Sequence, residues 1–183
     1  QVYGFDEIVA NDLRDLANEN GLLRVGISLS GLKPLLPTTG VNAMDCRLNL
    51  QESTRPCFVS GDIRANEQIG LAAMHTIWMR EHNRIALNLK ELNPSWNGDK
   101  VYQEARKIVG AEMQVITYQH WLPIILGPEG YEQLGQYQGY NHNIHPSVSN
   151  VFATAARRFG HTIIIPVLNR CTENCETIPQ GPL

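Results

Sequence analysis

The strongest constraint on what this chain can fold into is GDIRANEQIGLAAMHTIWMREHNRIALNLKEL, residues 61–92, which reads as one long amphipathic helix. At about 100° per residue, Leu71, Met74, Trp78, Ile85, Leu89 and Leu92 fall within an arc of roughly 60°. Arg64, Glu67 and His82 lie within about 20° of that arc, so the stripe continues through polar residues. The opposite side, with Asn66, Thr76, Arg80, Asn83, Arg84 and Glu91, reads as a solvated face. An unpaired buried charge is costly. Either Arg64 and Glu67 pair with each other at i, i+3 near a frayed first turn, or they border a pocket whose ligand needs a cation and a carboxylate. His82, and His75 on the stripe's edge, read as hydrogen-bonded core histidines.

The rest of the chain follows the same helical logic. Asp6 can cap a helix through about Asn18, with Val9, Leu13 and Leu16 on one face and Gly21 as a stop. Residues 26–60 are rich in glycine and proline and read as loop. The long helix should end at Asn93-Pro94. A second should start after the NGD at 97–99 and run to about Trp121, where Pro123 halts it. GPEGYEQLGQYQGYNHNIHP reads as a glycine-rich connection. A third helix should follow Pro146, burying Val148, Phe152, Ala155 and Phe159, and TIIIPV is a β-branched run. The predicted fold class is mainly α, a single domain with loop-rich connections. His161 sits where that third helix gives way at Gly160, a rigid junction suited to ligating a metal or a haem iron. Among six histidines, spacing alone does not single it out.

Composition excludes more than it selects. A net charge of −3 gives no electrostatic footprint for nucleic acid, and no apolar run approaches the roughly 18 residues of a membrane span. The absence of an initiator Met makes the chain read as an excised segment, so a missing leader says nothing of compartment. Cys46 with Cys57, and Cys171 with Cys175, form two close pairs that suit disulfides and an oxidising compartment. Closing a loop of about 10 to 15 residues stabilises by roughly 3 kcal/mol in the chain-entropy model. Four reduced thiols remain an alternative. So does a zinc set of His142, His145, Cys171 and Cys175, whose spacing is loose.

SGDIRANEQIGLAAMHTIWMREHNRIA resembles the distal-side helix of the animal haem peroxidases. LNPSWNGDKVYQEARKIVGAEMQVITYQHWLPIILG and FATAARRFGHTII match the same family in the same order, as does VYG with the following LANENGLLRVG. The resemblance covers nearly all of the chain. RANEQ, MHTIWMREHNRIA and ITYQHWLP look closest to the family's extracellular-matrix branch.

The resemblance implies a central segment, residues 1–183, of a haem-peroxidase domain whose N- and C-terminal parts lie outside it. It places Arg64 as the distal arginine, Glu67 as a glutamate esterified to a haem methyl, and His161 as the axial ligand of the haem iron. Arg158 would reach a haem propionate, and Cys46–Cys57 would be a family disulfide. The implied cofactors are a covalently attached haem b and, in the complete domain, calcium. The implied partners are hydrogen peroxide, a halide (bromide) or phenolic electron donor, and matrix proteins such as collagen, in a secreted protein. A non-catalytic matrix or adhesion module on the same fold is the alternative, though a silent scaffold need not keep Arg64, Glu67 and His161 together. The distal histidine, the second ester-forming aspartate and the calcium loop would precede VYG, and the asparagine accepting from His161 would follow Leu183. Gln68 stands where some members carry a methionine bonded to a haem vinyl, so that link is not expected. Cys171 and Cys175 stand where the family has apolar residues, and their joint change suggests a mutual disulfide.

Overall fold

Asp6 begins the first helix as its sequence position predicts. Its Oδ1 accepts the Val9 N–H at 2.8 Å, capping α1, Glu7–Asp12. The computed structural model describes residues 1–26, 33–38 and 56–179. The helix α1 stops well short of Asn18, because Arg14 enters an antiparallel bridge with Leu23 and the Asp15 carboxylate accepts the Ala17 N–H. Leu13 is therefore buried as expected, whereas Leu16 is 68% exposed.

The long helix, α2, spans Ile69–Leu92 and ends before Asn93 as predicted, but it starts eight residues late. Residues 61–67 form tight turns instead, with Ala65 N–H donating to Asp62 O and Glu67 N–H to Arg64 O. The buried side of α2 is also rotated from the expected stripe. Thr76, Met79, His82, Ile85 and Ala86 are buried, while Leu71, Met74 and Leu92 are exposed. The side expected to be solvated grips neighbouring backbone. The Asn83 amide accepts the Leu23 N–H at 2.8 Å and donates to Leu23 O at 2.9 Å. The Asn66 amide does the same to Phe58, at 2.8 and 2.7 Å, and Arg80 Nε donates to Pro34 O at 2.7 Å.

Asn97 caps α3, Gly98–Val115, its Oδ1 accepting the Lys100 N–H. Pro123 does not halt the rod that follows. Helix α3 widens into a π-helical segment, Ile116–Trp121, and continues as α4, Leu122–Leu134. Pro123 is the second residue of α4, directly after the π-helical segment, and the rod continues through it. A kink at Gly127, with φ of 68°, precedes Pro128, so part of the expected connection is helical.

The core lies between α2 and α3. Leu13, Leu23, Leu36, Met79 and Tyr102 form one buried cluster, and Ile85, Ala86, Val101, Ala105 and Val109 form the other. Gly21 is required where the chain crosses α3: its φ is 66°, and a Cβ there would stand 2.5 Å from Tyr102 N. Among the described residues there is no β-strand beyond isolated bridges, so the mainly α class holds. No helix among them is long and apolar enough to cross a membrane.

The chain divides into two compact units, Gln1–Gly135 and Gln136–Leu183. In the second, Ser149 caps the short α5, Asn150–Thr154, and a 3₁₀ helix, Ala156–Ile163, follows. Val148, Phe152, Ala155 and Phe159, expected in a core, are exposed.

Candidate functional site

Arg64 projects from the turn that precedes α2 and is held there by Asp62. Its Nε donates to Asp62 Oδ1 at 2.9 Å and its Nη2 to Oδ2 at 2.8 Å, a bidentate fork. Its backbone N–H also donates to Oδ1, at 2.9 Å. The Arg64 guanidinium hydrogen bond outweighs the opposing effect of burial and holds the Asp62 carboxyl well below the usual carboxylate range. The Arg64–Glu67 ion pair, one of the two alternatives the sequence left open, is not formed. Both residues lie in turns rather than in a helix, so the angular projection does not govern them. Glu67 is exposed and tied to Arg64 through its backbone N–H only.

His82 is a core residue, as its place on α2 suggests. It is 0% exposed; Nε2–H donates to Gly21 O at 2.9 Å, which requires Nδ1 to accept from the Tyr3 hydroxyl at 2.9 Å. Burial lowers its pKa to about 4, against a smaller upward pull from the Gly21 carbonyl. Tyr102 packs edge-on to Tyr3 and at a tilt to His82, with the Arg14 guanidinium 4.0 Å from its ring centre. His75 donates from Nδ1 to Leu71 O at 2.7 Å, leaving Nε2 buried without a partner. Alongside Val2, Leu13, Ser60 and Met79 it lines a cavity of about 10 Å³, room for roughly one water molecule.

In the second unit, Arg158 and His161 are both exposed on the 3₁₀ helix. At about three residues per turn, positions three apart fall on one side of such a helix.

Two cysteine expectations need correction. Cys171 and Cys175 are free, exposed thiols, not a mutual disulfide. Cys171 bridges Thr177, and the Ile178 N–H donates to Arg170 O. That register puts Thr177 opposite Cys171 and leaves Cys175 at the turn, with φ of 64° and its N–H on Thr172 O. The zinc set is not assembled either: no group of three or more His, Cys, Asp or Glu among the described residues could hold a metal ion. His145 is instead 2.7 Å from the Ser147 hydroxyl. Cys57 is disulfide-bonded, while Cys46 lies outside the described residues.

The sequence missed Asp62, Tyr3 and Asn83 as organising residues. Only Asp62 carried a local signal, an aspartate two positions before an arginine, where an Asx turn can form.

The animal haem peroxidase family model matches residues 1–182. The chain is 59% identical over 184 residues to peroxidasin of Drosophila melanogaster and 56% identical over 180 residues to a mouse peroxidasin homologue. It spans 12% of the length of each. Peroxidase A of Dictyostelium discoideum superposes with a TM-score of 0.79 at 30% identity, covering 100% of this chain and 34% of that one. A whole-chain family match, a similar solved fold and mainly helical architecture agree: the chain belongs to the animal haem peroxidase family.

Proposed function

We propose that this chain supplies the substrate-activating and iron-binding residues of a secreted haem peroxidase. That enzyme reduces hydrogen peroxide and oxidises a halide such as bromide, or a phenol. The observation that carries this reading is the family match over residues 1–182. Arg158 and His161, both exposed and three residues apart on a 3₁₀ helix, would present a cation and an imidazole on one side, which suits a haem.

The haem, when bound, supplies the redox chemistry that connects peroxide to the electron donor. His161 would lend a ring-nitrogen lone pair to the iron, and its other ring nitrogen would need an acceptor to fix the tautomer. Arg158 would hold a propionate through its guanidinium fork. Glu67, exposed on the turn before α2, would attach the haem as an ester and so lose its charge. Arg64 would stabilise negative charge growing on the departing peroxide oxygen. Such a preorganised donor is typically worth about 10² to 10³ in rate, and arginine stays cationic at any working pH. Calcium would bind elsewhere in the complete domain. Oxidation of bromide would give a hypohalous acid able to cross-link collagen in the extracellular matrix.

The test is His161→Ala in the complete protein, read by absorption spectroscopy. Loss or a large displacement of the Soret band is expected. An unaltered band removes His161 as the axial ligand.

A further inference from the structure

We propose that Asp62 is the positioning residue for Arg64, fixing the direction in which the guanidinium is presented to peroxide. The inference rests on the role given to Arg64 above and extends it to the residue that holds its guanidinium.

The two side chains differ sharply in exposure. The Asp62 side chain is 14% exposed and that of Arg64 66%, so the carboxylate is the anchored partner and the guanidinium the projecting one. Three contacts define the anchor: the fork to Nε and Nη2 and the bond to the Arg64 backbone N–H. A fork of two parallel bonds sets the guanidinium plane as well as its position, which a single contact does not. Using Oδ1 for both Nε and the backbone N–H ties the tip of the side chain to its own root.

The turn carrying this pair is itself pinned. Ser60 Oγ donates to Asp62 O at 3.2 Å and accepts the Asp62 N–H at 3.3 Å. Gly61 is buried where the turn meets the N-terminal segment, and a Cβ there would stand 2.5 Å from both Gln1 O and Gly4 N. On the other side Ala65 is 1% exposed. Buried small residues thus hold both flanks of Asp62 and Arg64. A donor that must meet charge developing on one oxygen atom gains from such fixing, because misplacement by about 1 Å can cost 10²-fold in rate.

The experiment is a double-mutant cycle in the haem-loaded complete protein, following the rapid reaction with hydrogen peroxide. Asp62→Asn should slow that step about 10- to 100-fold while the Soret band and melting midpoint stay near wild type. In an Arg64→Ala background the same change should cost nothing further. A second readout is independent of turnover: the Arg64 Nε–H resonance in selectively ¹⁵N-labelled protein should exchange slowly in wild type and rapidly in Asp62→Asn. Should Asp62→Asn not fold, Asp62→Ser retains an acceptor for the Arg64 backbone N–H, removes the fork and is expected to behave alike. An undiminished peroxide rate, additive losses in the cycle, or a fast-exchanging Nε–H in wild type each overturns the proposal. If Arg64→Ala itself reacts at the wild-type rate, the role given to Arg64 fails, and the Nε–H exchange still reports whether the clamp exists.

Discussion

His82 shows how much a single residue of α2 carries. It bonds Gly21 at one ring nitrogen and Tyr3 at the other, so it joins α2 to two segments far away in sequence. The Tyr3 bond demands an unprotonated Nδ1, whereas the bond to Gly21 survives protonation; burial outweighs that upward pull, and the pKa stands at about 4 against an ordinary 6.5. Below 6.5 the unfolded chain takes up a proton that the folded one refuses. Stability should therefore fall as pH drops from about 6.5 towards about 4, by up to about 3 kcal/mol. Denaturant unfolding at several pH values checks this. His82→Phe should be less stable at neutral pH, because it leaves the Tyr3 hydroxyl and the Gly21 carbonyl unpaired, and should lack that slope. The burial of His82 was legible from its angular position on α2. Its partners were not, since nothing local in the sequence links residue 82 to residues 3 and 21.

At the level of elements, α2 and the turn before it are less an amphipathic rod against a core than a clamp for irregular chain. Leu23 and Phe58 each have their backbone N–H and C=O satisfied by one asparagine amide, from Asn83 and Asn66. An asparagine presents one acceptor and one donor side by side, so it stands in for a neighbouring strand. Asn83→Ala should strand both Leu23 groups and cost about 2 to 4 kcal/mol in urea unfolding. Asn83→Asp, which keeps the acceptor and loses the donor, should not restore wild-type stability.

The cap at Asp6 and the stop at Asn93 were legible because each depends on residues within one turn. The late start of α2 and the rotation of its buried face were not. They depend on what Asn66, Arg80 and Asn83 find in segments that hydropathy treats as solvent. Pro123 misled for a related reason: nothing local in the sequence shows the π-helical segment that precedes it and through which the rod continues.

For the molecule as a whole, the family was legible from three motifs in order, because they span most of the chain. Cys171 and Cys175 were misread because four-residue spacing says nothing about register, and the turn pairs Cys171 with Thr177. Glu67 offers a test that spans protein and cofactor. Glu67→Gln in the complete protein should leave one ester fewer between polypeptide and porphyrin, visible by mass spectrometry of the denatured protein. Identical attachment counts against the assignment.

The widened helical stretch Ile116–Trp121 has a consequence for how such a chain tolerates changes in length. An α-helix advances about 100° per residue, so losing one position from an ordinary rod would swing everything downstream to a new side. A stretch already wound at the looser pitch can tighten instead, closing smaller rings while its backbone ladder stays whole. Slack of this kind lets evolution shorten a long rod by one residue without cutting it and without swinging Leu122–Leu134 to a new side.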